Sequence, residues 1–386
     1  MSVRIKKPEL VIAIFYTFRF ALKMIVGNDG NYDLMYLLAI YAILCIFFYQ
    51  NRKFISNFRW VLLLCVMWVS ADIGGPIAIN STKAIVYITK MTLCIYLFMF
   101  VREKIEYFDL QIFINYSVFF LAVQTILALL QRNSAWFWRL AENRMELLFL
   151  EPSELGVFIG ILILLQVFLM KENGELKEHI GNVVVLSGIL MLSSSMSGIL
   201  YTLFTSIIYL AFDNESKKEG ISKKQLLFLF IAVLGVALML SSDNYISNRF
   251  FNALNGTDSS FNTRSSVPIQ TLIEYYNKYG FFGFGFGNMN TVRGMQFFNL
   301  KAKNYVICAA YFLFAIEGGI VAIIAEVIFT LKLLKECLKS GSAFHLALFI
   351  FVFFYMCLGG YTTNPVVWIL YAIMYTEKEK LLRTNE

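Results

Sequence analysis

The sequence predicts an all-α fold, a polytopic transmembrane helical bundle of about 12 spans that forms a single integral membrane domain over residues 1–386. Three observations predict it. The chain is 59% hydrophobic, where soluble domains hold about 45–50% apolar residues, and its mean hydropathy is +0.66. The apolar residues gather in runs near the roughly 20 residues that a membrane-crossing helix needs. Lys and Arg sit mainly in short segments between those runs, so the net charge of +7 reads as membrane topology and not as a nucleic-acid surface.

Taken in order, the first apolar run, roughly 9–26, follows the basic MSVRIKK. It has no small-residue cleavage site, so it is a span and not a signal peptide. Further runs fall at roughly 33–49, 59–73, 84–101, 111–130, 153–170, 181–195, 197–212, 225–241, 303–329, 342–358 and 363–376, with 59–73 and 363–376 short or broken. With both termini cytoplasmic, the inside segments carry 20 Lys and Arg and the outside segments 10, although the inside segments are much shorter. This orientation leaves two extracytoplasmic loops, 131–152 and a large polar one at 242–303 between spans 9 and 10. The six cysteines lie in apolar runs or, for Cys337, in a Lys-rich segment, and no CxxC pair occurs. That argues against structural disulfides and a zinc site.

Three cations fall inside spans, in their outer halves: Arg19, Lys23 and Lys90. Arg19 and Lys23 are four residues apart and share a helix face. They either snorkel to outer headgroups or line a cationic pocket just below the outer surface, at the depth of a lipid pyrophosphate.

Other constellations admit chemistry. EPSELG, from Glu151 to Gly156, opens a span. Pro152 suits the first helical turn, and Glu151 and Glu154 sit at the positive end of the helix dipole. They either cap the helix, or Glu151 serves as base or electrostatic partner for a reacting hydroxyl. Before it, Trp136, Phe137 and Trp138 flank Arg139 and Arg144, a pattern of an interfacial aromatic helix whose arginines can reach an anionic lipid head. The large loop holds Arg249, Arg264 and Arg293, and Arg suits bidentate phosphate contacts. Its GFFGFGFGN run, Gly280 to Asn288, reads as a tight turn re-entering the membrane surface, with backbone amides near Gly285 and Asn288 open to an anion. Tyr275 and Tyr276 either stack on sugar rings or simply pack. SSSMSG, Ser193 to Gly198, joins two spans with small residues, which permits close helix packing. Glu317 is a carboxylate inside a span and is expected to balance an intramembrane cation. The two histidines, His179 and His345, fall on the cytoplasmic side, so chemistry at the outer face needs a carboxylate as its base.

EPSELG at a span start, the SSSMSG junction, the long loop with Arg264 and then GFFGFGFGN, and Glu317-Gly318-Gly319 together resemble the O-antigen polymerase and ligase superfamily. Over roughly residues 145–370 the chain is most similar to the Wzy-type polymerases of capsule and exopolysaccharide pathways. The resemblance implies a GT-C-like, metal-independent glycosyltransferase without cofactor, in the bacterial plasma (inner) membrane. It implies a glycan donor on undecaprenyl pyrophosphate and a sugar hydroxyl of a lipid-linked repeat unit as acceptor. On that pattern Arg264 holds the pyrophosphate and Glu151 serves the acceptor hydroxyl, and a chain-length regulator is an expected partner. Two departures stand out. The ligase branch carries an outer histidine near the end of the long loop, where this chain reads Lys301-Ala302-Lys303-Asn304; that favours polymerase over ligase. The junction often carries Arg where this chain has Met196, so either that Arg is structural or another cation, such as Arg139 or Arg19, replaces it. The rival from another class is a lipid-linked oligosaccharide flippase. It should show two related halves and cations along a whole central cavity, and neither is evident.

Overall fold

The computed structural model describes residues 7–18, 59–75, 80–105, 108–134, 137–139, 144–149, 151–173, 176–211, 245–289, 294, 297 and 309–382. Helices dominate. They are α1 (Lys7–Thr17), α2 (Arg59–Gly74), α3 (Ser81–Lys104), α4 (Leu110–Leu130), α5 (Pro152–Asn173), α6 (Leu176–Ser193), α7 (Met196–Ala211), α8 (Tyr245–Leu254), α9 (Ser259–Arg264), α10 (Ser266–Tyr279), α11 (Ala310–Lys339), α12 (Ala343–Leu358), α13 (Pro365–Met374) and α14 (Lys378–Leu382). Among the described residues, four helices are long and apolar enough to cross a membrane: Ser81–Glu103, Leu110–Leu130, Pro152–Asn173 and Ala310–Lys339. Shorter apolar helices stand where the sequence places five more spans. The expected spans at 33–49 and 225–241 lie outside the described residues.

The centre of the bundle is α5, buried along 83% of its most apolar stretch. Its Gly156 and Gly160 face Gly198 and Thr202 of α7, spaced four residues apart on each helix. A Cβ on Gly198 would lie 2.6 Å from the Gly156 carbonyl carbon. Small residues at that spacing let two backbones approach closely. Helix ends are fixed by caps: Asn80 accepts from Lys83 N, Asp109 from Ile112 N, and Asn364 from Val366 N ahead of Pro365. Buried Glu9 accepts from Asp109 N at 2.9 Å, which ties α1 to the start of α4. At the opposite end of α5, Gln111, Gln166 and Asn182 bond one another across α4, α5 and α6, and Lys378 pairs with Glu172 at 2.6 Å.

Three segments differ from the sequence expectation. The stretch before Glu151 is a small antiparallel hairpin, with β1 (Trp138–Arg139) paired to β2 (Arg144–Met145), and not an interfacial helix. Phe137, Trp138, Met145 and Leu147 are buried, and the Trp138 indole donates to Ala128 O at 2.8 Å. An extended chain buries these residues while an indole and a guanidinium each find a carbonyl. Between 245 and 279 the polar loop carries three helices, α8, α9 and α10. The Gly-Phe turn that follows docks against a kink in α11 at Gly319, whose φ is 73°. Phe284 N and Gly285 N donate to Ile316 O and Glu317 O, each at 2.9 Å. The Glu317 carboxylate accepts from Met289 N at 3.0 Å, so it is tied to an amide of the returning chain; Arg19 and Lys23, two of the intramembrane cations that the sequence offers it, lie outside the described residues.

Candidate active site

One end of the bundle carries a cavity of about 390 Å³ where the start of α5, the α6–α7 junction, the end of α12 and the α8–α9 pair meet. Glu151 precedes the first turn of α5, and its carbonyl accepts from Glu154 N and Leu155 N. Ser153 Oγ donates to Glu151 Oε2 at 2.9 Å. Arg264 Nη2 lies 3.6 Å from the same oxygen, with the two side chains 25% and 41% exposed. Such a partly exposed pair is worth about 0–1 kcal/mol, so a ligand can open it. Both contacts use Oε2, and among the described residues Oε1 has no hydrogen-bond partner.

Arg264 ends the six-residue helix α9, which Asp258 caps through Phe261 N. Asp258 also accepts from Arg249 Nε at 3.0 Å and from its Nη2 at 3.4 Å. Burial pushes this carboxyl up, but the Arg249 bond and the amides of Phe261 and Ser260 outweigh burial and hold it below the usual carboxylate range. The carrier of Arg264 is fastened to the bundle through α10. Tyr275 OH donates to Phe282 O at 2.8 Å, and Tyr276 OH to Ala315 O at 3.0 Å. Burial pushes the Tyr276 phenol up to about 12, so it stays a donor at neutral pH.

Arg144, 5% exposed, reaches the cavity from β2. Its Nε and Nη2 donate to Ser193 O at 3.3 Å and Ser194 O at 3.2 Å. These carbonyls end α6, where a cation both satisfies unpaired acceptors and meets the negative end of the helix dipole. Ser194, at φ 48°, turns the chain, and Ser195 Oγ then accepts from Gly198 N at 3.2 Å at the start of α7.

Of the residues singled out in the sequence, Arg144, Glu151, Arg249 and Arg264 line this one cavity. Glu154 lines a narrow extension of about 40 Å³ that shares Glu151 and Arg264 with it. Others are elsewhere. Tyr275, Tyr276 and Gly285 spend their polar groups on the backbone of α11 and the Gly-Phe turn. Asn288 accepts from Asn80 N and donates within its own turn. Lys90 lies on α3, outside the cavity lining. Arg139 contributes backbone to β1, while its side chain, like Arg19, Lys23 and Arg293, lies outside the described residues. Sequence reasoning missed Asp258, Tyr201, Tyr355 and Tyr361. Asp258 had a signal, as an Asp directly before a short helix; the tyrosines had none among the 21 in the chain.

Planar guanidiniums beside a carboxylate are suited to gripping a phosphate group while a neighbouring hydroxyl is positioned. The profile of the WcaD colanic acid polymerase family matches residues 32–377, a span that contains every described wall of this cavity. No curated protein and no solved structure matches the chain. The match covers most of the 386 residues, and the chain belongs to the WcaD colanic acid polymerase family of polysaccharide polymerases.

Proposed function

We propose that the chain is a GT-C-like glycosyltransferase of about 12 spans that joins lipid-linked repeat units of colanic acid or a related capsule or exopolysaccharide. It works at the outer face of the bacterial plasma membrane, with both termini cytoplasmic and the segments 131–152 and 242–303 outside. The donor is a glycan on undecaprenyl pyrophosphate, and the acceptor is a sugar hydroxyl on a second lipid-linked unit. The observation that carries this reading is the meeting of Arg144, Arg249 and Arg264 with Glu151 around one cavity.

In this reaction the acceptor hydroxyl oxygen bonds to the anomeric carbon of the donor. The bond from that carbon to the pyrophosphate oxygen breaks, and the electron pair leaves with the lipid pyrophosphate. The hydroxyl proton passes to the Glu151 carboxylate. Arg264 receives the growing charge on the leaving group, because it is the guanidinium least engaged by protein acceptors: Arg249 is held by Asp258 and Arg144 by the α6 carbonyls. Positioning and charge stabilisation do most of the work, and a base adds about 10²–10⁴-fold.

The test is incubation of purified protein with undecaprenyl-pyrophosphate repeat units. A ladder of longer lipid-linked products is expected. Transfer to a different acceptor would instead mean a ligase, and movement across vesicles without lengthening a flippase. Glu151→Gln and Arg264→Ala should each reduce lengthening by about 10²-fold or more at unchanged membrane insertion. Normal polymer length in both variants would sink the site assignment.

A further inference from the structure

The cavity has two lobes of opposite character. The wide lobe, about 390 Å³, carries Arg144 and Arg249, which the narrow lobe lacks. The narrow lobe, about 40 Å³, adds Glu154, Tyr355, Tyr361 and the bare Gly359–Gly360 backbone. Glu151, Ser197, Tyr201 and Arg264 belong to both and mark the seam. Among the described residues, three guanidiniums line the wide lobe against the carboxylates of Glu151 and Asp258, and one lines the narrow lobe against those of Glu151 and Glu154. A doubly charged pyrophosphate is drawn to the first balance, whereas a neutral, hydroxyl-bearing group is indifferent to it. Carboxylate and phenol oxygens are acceptors for such hydroxyls, and phenol rings offer an apolar face with a polar edge.

The narrow lobe is also rigidly built. Tyr355 OH accepts from Asn364 Nδ2 at 3.2 Å, and Asn364 in turn caps α13. Gly360 has φ +71°, and a Cβ there would lie 3.0 Å from the Tyr355 ring. Only glycine lets the turn lie against that ring. Gly359 O accepts from Ala310 N at 3.2 Å, which fastens the turn to α11. Tyr361 is 40% exposed and stands at the rim. A lobe of about 40 Å³ has room for about three water-sized groups at roughly 10–15 Å³ each. It therefore takes one hydroxyl-bearing edge of a ring, and the ring itself rests outside it on Tyr361.

We propose that the narrow lobe formed by Tyr201, Tyr355, Tyr361 and Glu154 is the acceptor subsite, which selects the hydroxyl of a neutral terminal sugar and presents it to Glu151 at the seam. This rests on the polymerase reading above. The wide lobe then holds the donor pyrophosphate, and polarity across the seam fixes which glycan end reacts.

The test separates the two substrates. The donor is the lipid pyrophosphate repeat unit, and the acceptor is the same glycan on a plain alkyl aglycone without phosphate. Tyr361→Ala should raise KM for the alkyl glycan roughly tenfold, the equivalent of one lost aromatic contact, and leave KM for the donor unchanged. Tyr361→Trp should restore it, and Glu154→Gln should likewise act on the acceptor KM alone. Arg249→Ala should do the reverse. A Tyr361→Ala effect confined to the donor KM would mean that the lobes are assigned the wrong way round. An unchanged KM for both substrates in Tyr361→Ala and Glu154→Gln would overturn the subsite. Wild-type protein that transfers glycan to neither alkyl nor lipid-linked acceptor would instead overturn the polymerase reading beneath it.

Discussion

Asp258 caps the helix that ends in Arg264 and holds Arg249, and replacing it separates these two tasks. Asp258→Ala removes the cap of α9, worth about 1 kcal/mol within a range of about 0.5–2. It also removes the charge-assisted bonds to Arg249, worth about 1.5–3 kcal/mol, here between side chains only 18% and 8% exposed. Together these come to about 2–5 kcal/mol, a shift of roughly 30- to 4,000-fold in the equilibrium that keeps α9 formed. Six residues have no helical stability of their own, so the loss appears directly as time in which Arg264 is away from Glu151. Asp258→Asn keeps a good cap and loses only the ionic part, so its defect should be intermediate. The assay is the initial rate of ladder formation for both variants, alongside hydrogen exchange of the amides from 259 to 265. The expected order is wild type, then Asn, then Ala, with exchange protection falling in step. An Asp258→Ala rate within about twofold of wild type, with α9 protection intact, would refute the claim that this contact positions Arg264.

Further consequences can be checked with the same preparations. Arg144→Lys should fail to replace Arg144, because an ammonium cannot bridge the Ser193 and Ser194 carbonyls as a planar fork does; lengthening should fall about tenfold or more, and wild-type rates in Arg144→Lys would contradict this. Gly198→Ala pushes a methyl to within 2.6 Å of the Gly156 backbone and should destabilise the detergent-solubilised protein by about 1–3 kcal/mol, read as a lowered thermal midpoint. On acidification, the folded-state Asp258 pKa lies below its unfolded value of about 3.9. The stability it contributes is therefore present above that value and is lost only as pH falls through the depressed one. Protection of α9 should thus be flat from roughly pH 8 to 5 and collapse well below; an earlier collapse would assign the loss to another group.

The membrane bundle was legible because its signal is long-range and redundant. Apolar runs near the required length mark α3, α4, α5 and α11 regardless of packing detail. EPSELG was legible for a local reason: Pro after Glu151 and acids in the first turn mark a helix start wherever they occur. The hairpin at Trp138 and Met145 was not legible, because its extended form is chosen by partners on other elements, the Ala128 carbonyl on α4 and the end of α6, the second of which lies 49 residues from Arg144. The Gly-Phe turn misled for a related reason. Alternating glycines suggest amides open to a ligand, yet the partner of these amides is the kinked backbone at Ile316 and Glu317, and a Cβ on Gly283 would collide with the Glu317 carbonyl. Its glycines serve close backbone approach, and Glu317 serves that same joint.

The same reasoning bears on Met196, the position at which the resemblance drawn from the sequence leads one to expect Arg. In this chain Met196 lines the cavity beside Ser197, and the guanidinium in that wall belongs to Arg144, brought across by β2. Its Nε and Nη2 bond the carbonyls of Ser193 and Ser194, within three residues of Met196. A cation at the end of α6 meets the same unpaired acceptors from whichever strand or helix it is delivered. The requirement at this corner is thus a guanidinium at the junction and not an arginine at one sequence position. On that argument Met196→Arg would bring a second cation to acceptors already taken, and it should restore lengthening to Arg144→Ala while giving no gain in the wild-type background. Failure of that rescue, in a double variant that folds and inserts normally, would mean that Arg144 acts through the hairpin itself and not through the charge it delivers.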